Sequence, residues 1–255
     1  MAVDEALLLD AAEHNTATLR FYGWSEPTLS LGYFQRYADR MQHAASLTAA
    51  IVRRQTGGGA ILHDRELTYN LTLPSSHPLT KQNEKLYRIV HEVFVEILSP
   101  PIHLPNSVCP LQIRGEGSKI RPTDERFLCF QRQSPGDVVF ITANAAKNDA
   151  TLSQIPASLP VVKILGSAQR RYRGALLQHG SLLLERSPAA PELKGWRDLA
   201  DPTVAIDALI TAAACQLGQA LHFKLHERKL PPKLESIADE IANSRYGTPA
   251  WTKRR

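Results

Sequence analysis

A chain of 255 residues with 43% hydrophobic and 22% charged side chains can bury a full core and carries no long single-sign block, which excludes disordered and fibrous classes. The net charge of +5 favours a negatively charged partner without naming one, and the basic knots at residues 169–173 and 253–255 are thin for a nucleic-acid-binding face. Asp4, Glu5, Asp10 and Glu13 occupy the place of a signal peptide's positive and apolar regions, and no stretch reaches the length of a membrane span. Cys109, Cys129 and Cys215 lack metal-ligand spacing, so reduced thiols in a cytoplasmic compartment and no metal site are expected.

Residues 3–13 place Ala6, Leu7, Leu8, Ala11 and Ala12 near one side and acids on the other, predicting an amphipathic helix. The aromatic and β-branched runs 19–24 and 28–33 flank Ser25, Glu26 and Pro27, which predicts a hairpin. Residues 51–54 then enter three glycines, and residues 60–63 leave them for the alternating segment 67–73, giving strand, glycine loop, strand, strand. Leu86, Ile89, Val90, Val93, Phe94 and Ile97 form a stripe within a helix over 80–98 that ends before Pro100 and Pro101. Residues 105–126 read as loop, and strands are expected at 126–130, 137–142, 161–165 and 175–185. An exposed excursion is expected at 143–158, and two helices at 204–223 and 234–243. Strands first and helices last, with little regular alternation, predict a single α+β domain over 1–255.

Three clusters carry chemistry. In Arg53-Arg54-Gln55-Thr56-Gly57-Gly58-Gly59-Ala60-Ile61-Leu62-His63 the glycines strip a turn of side chains, so that backbone N–H groups can approach a carbonyl, carboxylate or phosphate. The spacing is neither a Walker loop nor a dinucleotide fingerprint, and such a triplet alone also describes an ordinary flexible turn. In Lys163-Ile164-Leu165-Gly166-Ser167-Ala168-Gln169, a lysine at a strand end could place its ammonium over an acyl oxygen. Alone, Lys163 also reads as a surface lysine, and His179, beside Gly180, as a satisfied, partly buried histidine. Cys129, followed by Phe130, Ser134 and Asp137, is either a thioester-forming nucleophile or a small buried apolar residue.

Taken in order, these segments resemble the superfamily of lipoate-protein ligases and octanoyltransferases, whose catalytic domain is similar to that of biotin-protein ligase. The likeness covers nearly the whole chain: residues 1–8, 19–24, 29–35, 53–59, 163–169 and 245–251. It implies a mixed, largely antiparallel β-sheet with flanking helices. Residues 62–70 lack the Gly-Asn that follows His-Asp in the ligases, Cys129-Phe130 looks like the segment holding the transferase nucleophile, and the chain stops soon after Trp251, without the ligases' C-terminal accessory domain. All three favour the cysteine-dependent octanoyltransferases, although the stretch between Cys129 and Lys163 is longer than in those enzymes, with the excess in 143–158.

The implied catalytic residues are Cys129 and Lys163. The implied acyl- or adenylate-binding set is Arg54, Gly57, Gly58, Gly59, Ala60, Ile61, Leu62, His63, Gly166, Ser167, Ala168, His179 and Gly180, with His63 or His179 assisting proton movement and an acyl slot between residues 69–73 and 176–183. The implied donor is octanoyl acyl carrier protein, and the implied acceptor a lipoyl-domain protein, either the glycine cleavage H protein or a 2-oxoacid dehydrogenase E2. No cofactor, nucleic acid or membrane is expected. The alternatives are an ATP- and Mg-dependent lipoate-protein ligase working through lipoyl-adenylate, and a non-catalytic binding protein on the same scaffold.

Overall fold

Two strands buried at every position, Glu66–Leu73 and Ala175–Leu183, pair antiparallel in the middle of the larger of two sheets. Strands covered on both faces need a layer above and below. The computed structural model describes residues 1–99, 111–115, 126–142, 161–200 and 204–255. In chain order its elements are α1 (Ala2–His14), β1 (Thr18–Tyr22), β2 (Thr28–Leu31), β3 (Ala50–Arg53), β4 (Ile61–His63), β5 (Glu66–Leu73), α2 (Asn83–Leu98), β6 (Leu111–Ile113), β7 (Val138–Ile141), β8 (Val161–Tyr172), β9 (Ala175–Leu183), α3 (Trp196–Ala200), α4 (Ile206–Ala220), α5 (Pro232–Ile241) and α6 (Pro249–Thr252).

The large sheet runs β1-β5-β9-β8-β7-β6, antiparallel throughout. The small sheet runs β3-β2-β4, with β2 parallel to β3 and antiparallel to β4. This is the mixed, largely antiparallel α+β arrangement that the sequence predicts. Opposite pleats of β9 feed opposite layers: Leu176 and Leu182 join the main core with Leu86, Val90, Phe94, Leu209 and Leu217, from α2 and α4, while Ala175 and Leu177 meet Leu8 and Ala11 of α1. Spacing of three and four residues along α2 puts its apolar stripe on that one face.

Several sequence expectations change. Residues 19–24 and 28–33 do not form a hairpin: β1 pairs with β5, and β2 belongs to the small sheet. Every residue of β2 is buried, and Leu29 and Leu31 pack with Leu62 and Leu128 in a second core; chain adjacency is outweighed by burial on both faces. Pro78 opens a separate single turn, Pro78–Lys81, so α2 begins at Asn83. The expected strand at 126–130 is a single bridge from Leu128 to Ala60, followed by a 3-10 turn at Cys129–Gln131. Cys129 N donates to Ala60 O at 2.7 Å, and the turn then takes the chain away from any further pairing.

The strand at 161–165 continues to Tyr172, so Lys163 and the Gly-Ser-Ala segment lie inside β8 and not at a strand end. Its Gly166 discourages a strand reading, yet a Cβ there would come within 2.5 Å of Lys163 Cε, so the glycine leaves room for the Lys163 side chain in its observed place. Within the expected loop at 105–126, residues 111–113 form β6, and the excursion at 143–158 lies outside the described residues. Among the described residues no helix is long and apolar enough to cross a membrane.

Candidate active site

β3 delivers two buried arginines into the glycine loop. Arg53 has no carboxylate partner among the described residues; it donates to the carbonyls of Gly32 (2.9 Å), Gln35 (2.6 Å) and Thr252 (2.9 Å), tying α6 to the loop after β2. Arg54 donates to Gly57 O at 2.8 Å, Gly59 O at 2.6 Å and Ser30 O at 2.9 Å, and burial pulls it down to about 10. Its guanidinium therefore braces the loop from behind. Gly58 sits at φ 94°, in the left-handed region, and a Cβ on Gly32 would fall 2.0 Å from Gly58 O, so this turn closes only over a bare backbone. A Cβ on Gly59 would meet Cys129 Cα and N at 3.1 Å, which explains why the third glycine suits this loop.

Cys129, on its 3-10 turn, is half-buried at one wall of a cleft of about 490 Å³, counting its open mouth. Lys163 Nζ reaches its Sγ at 3.7 Å and Asp137 Oδ2 at 2.9 Å. Burial opposes the ammonium, but Cys129 and Asp137 outweigh it and hold Lys163 above the ordinary lysine value. The cleft can thus present a fixed positive charge to negative charge developing on the sulfur or on an adjacent acyl oxygen.

Behind it runs an oriented chain of hydrogen bonds. Gln169 Nε2 donates to Gln178 Oε1 (2.7 Å), and Gln178 Nε2 donates to the Tyr69 hydroxyl (2.8 Å). His91 Nδ1 lies 2.7 Å from Gly136 O, which can only accept, so Nδ1 carries the proton. Burial pulls His91 from 6.5 to about 3, against the hydrogen bond to Gly136, so the ring is neutral near pH 7 and its Nε2 accepts from Ser167 Oγ at 2.6 Å. Tyr69 then donates to Ser167 Oγ at 2.6 Å. Tyr87 links this chain to the ion pair, accepting from Ser167 N at 3.2 Å and donating to Asp137 Oδ1 at 3.3 Å.

The two histidines singled out in the sequence both line the cleft, with both ring nitrogens engaged. His63 contacts Ser30 Oγ and Glu66 Oε1, each at 2.7 Å, and stacks on Trp24 at 4.2 Å. His179 contacts Thr56 Oγ1 at 2.8 Å and Asp4 Oδ2 at 3.2 Å. Burial lowers His179 in spite of Asp4. Asp4 itself, although burial opposes its charge, is drawn down to about 2 by His179, the Met1 ammonium and Arg20.

Of the sequence-derived set, Arg54, Gly57, Gly58, Ile61, His63, Cys129, Gly166, Ser167, Ala168, His179 and Gly180 line the cleft. Gly59, Ala60 and Leu62 support it from behind, and Lys163 reaches it through Cys129. Of the expected slot, Gly180 and Ser181 of β9 line the cleft, joined by Thr68 of β5 just outside the expected range, while Leu71, Leu73, Leu176 and Leu182 belong to the main core. Sequence reasoning missed Tyr87 and His91. The available signal was a tyrosine and a histidine four residues apart, the histidine inside the buried stripe of α2. Among the described residues no cluster could hold a metal ion.

His91 makes a testable contribution to pH dependence. It is neutral in the fold and titrates near 6.5 when unfolded, so the unfolded chain binds the extra proton. Its stabilising effect is complete above pH 6.5 and is lost as pH falls towards 3. His91→Gln should flatten the decline of the melting temperature between pH 6.5 and pH 4, with His179 supplying a residual slope. An unchanged slope would show that His91 titrates normally.

Residues 1–103 match the lipoyl protein ligase A/B catalytic domain. Octanoyltransferase LipM of Kyrpidia tusciae is 31% identical over 100% of this chain and 94% of its own length, and that of Clostridioides difficile is 34% identical over 72% of this chain and 60% of its own. Among solved structures, a Thermoplasma acidophilum protein with bound lipoic acid aligns with TM-score 0.68 at 20% identity, over 100% of this chain and 92% of its own. Lipoate-protein ligase A bound with ATP aligns at 0.65 and 20%, over 99% and 92%, and these two establish the shared fold.

Proposed function

Since the chain belongs to the lipoyl protein ligase A/B family and is an acyltransferase of lipoylation alongside the LipM octanoyltransferases, we propose that it moves octanoate from acyl carrier protein, through a thioester on Cys129, to a lysine of a lipoyl domain. The observation that carries this reading is the Lys163 ammonium 3.7 Å from Cys129 Sγ at the wall of the cleft. In the first half-reaction Sγ attacks the donor carbonyl, the donor's C–S bond breaks, and the proton from Cys129 ends on the departing carrier thiol. Exchange between two thioesters is nearly isoenergetic, so little driving force is needed. In the second, a neutral acceptor amine attacks the acyl-enzyme, an amide forms, and Cys129 regains a proton from the amine. Lys163 offsets charge on the carbonyl oxygen in both halves, held there by Asp137. No nucleotide is required in either half. The acceptor class is supported by a Thermoplasma acidophilum relative of this fold, a bipartite lipoate protein ligase studied with its E2 lipoyl domain.

Intact mass spectrometry tests the reading. Incubation with octanoyl carrier protein should add one octanoyl group, released by hydroxylamine, with no ATP present. An acyl product formed only from free octanoate or lipoate with ATP and magnesium would replace this reading with the ligase.

A further inference from the structure

The two basic knots of the sequence lie far apart in the chain, yet the fold brings them together over one ring. Arg170 from β8 stands 5.9 Å from the Tyr33 centroid, and Arg254 and Arg255, after α6, stand 4.4 and 6.0 Å from it. Arg254 also covers Trp251 at 4.8 Å, and Arg255 covers Phe34 at 5.3 Å. Stacking on aromatic faces fixes a guanidinium's position without neutralising it. All three arginines are exposed, and none forms an ion pair among the described residues. Beneath them lies Arg53, whose value is lowered first by burial and then by repulsion from Arg254 and Arg255. Four guanidiniums thus share one corner of the molecule, with no side-chain carboxylate partner among the described residues.

This corner borders the cleft. Tyr33 N donates to Thr56 O at 2.8 Å, Arg170 Nη1 donates to Gln55 O at 3.4 Å, and the 67% exposed ring of Phe34 faces Gly57, a residue of the cleft wall.

We infer that Arg170, Arg254 and Arg255, with Phe34, form the docking surface for the acidic carrier protein that delivers the acyl thioester. The inference rests on the transferase reading above. Charge chooses between the two protein substrates. The donor brings an acidic surface and a thioester hung on a phosphodiester-linked arm, both anionic. The acceptor must bring a lysine, and a rim of arginines repels an approaching ammonium. The acceptor therefore enters from another side of the cleft.

The test compares the protein with the combined variant Arg170→Glu, Arg254→Glu, Arg255→Glu, and with the milder triple glutamine variant in case charge reversal disturbs folding. Binding of fluorescently labelled holo acyl carrier protein is measured by anisotropy across a salt series. Acyl transfer is measured separately from octanoyl carrier protein and from octanoyl-pantetheine, a small uncharged thioester. The expected result is salt-sensitive binding by the parent protein and a fall of about a hundredfold in kcat/KM with octanoyl carrier protein in the glutamate variant. Rates with octanoyl-pantetheine should stay within about twofold, because no contact at the small thioester is removed. Unchanged carrier binding in both variants, or equal losses with both thioesters, would overturn the docking surface while leaving the transferase reading in place. A raised KM for the lipoyl domain with normal carrier binding would assign the patch to the acceptor and overturn it too. Acylation only with ATP would sink the transferase reading and overturn with it the role of this surface in acyl delivery, even where the variants lose carrier binding. A parent protein that does not bind the carrier at all refutes the docking surface.

Discussion

Replacing Cys129 with serine should abolish both the octanoyl-enzyme adduct and turnover from octanoyl carrier protein. The exchange removes little more than the reactivity of one atom. The backbone N–H of Cys129 still bonds Ala60 O, the 3-10 turn is unaffected, and Gly59 still packs against Cα. What changes is the nucleophile, since a serine hydroxyl is far more weakly acidic than a thiol, and Lys163 offers a positive charge but no strong base. Cys215→Ser, at an exposed position on α4, is the matched control and should remain active. Near-full activity in Cys129→Ser would reduce this cysteine to a packing residue and move the chemistry to an acyl-adenylate.

Lys163→Ala should slow transfer by about two to three orders of magnitude, the usual result of removing one preorganised donor from an oxyanion site, equivalent to about 2.7–4 kcal/mol. The substitution has a second effect that must be separated from the first. Lys163 and Asp137 are paired at 2.9 Å and buried, so the alanine variant leaves a carboxylate with no counter-charge, a change that typically costs about 3–5 kcal/mol of stability. The double variant Lys163→Ala, Asp137→Asn removes that orphaned charge. It should recover much of the lost melting temperature and none of the lost rate. Recovery of rate together with stability would show that Lys163 acts only as a structural counter-ion.

Where the chemistry depends on backbone conformation, it was legible in the chain. Three successive glycines announce a turn that side chains cannot occupy, and the close approach of Gly32 to Gly58 O is the physical demand behind them. The α2 stripe announced itself by periodicity. Features set by distant partners were not legible. Nothing local to residues 19–33 says that β1 prefers β5 to β2, because the preference comes from burying Leu29 and Leu31 against Leu62 and Leu128. Cys129 reads as strand because its neighbours are apolar, whereas its own N–H bond to Ala60 O, the Ala60 N–H bond to Phe127 O and a turn decide its place. His91 joins Ser167 across 76 positions of sequence, and its role is visible only when Gly136 O fixes which nitrogen holds the proton.

That same fixed proton has a consequence for inhibitor chemistry. The single hydrogen of Ser167 Oγ is committed to His91, and Tyr69 occupies one of its lone pairs, so all that this hydroxyl still offers a ligand in the cleft is an acceptor site. A compound that sets a carbonyl or sulfonyl oxygen against Ser167 meets lone pair with lone pair. One that sets an amide or hydroxamate N–H there completes the serine's bonding. A screening series built on this cleft should therefore rank donors above acceptors at that point, the reverse of the usual assumption about a serine in a binding site.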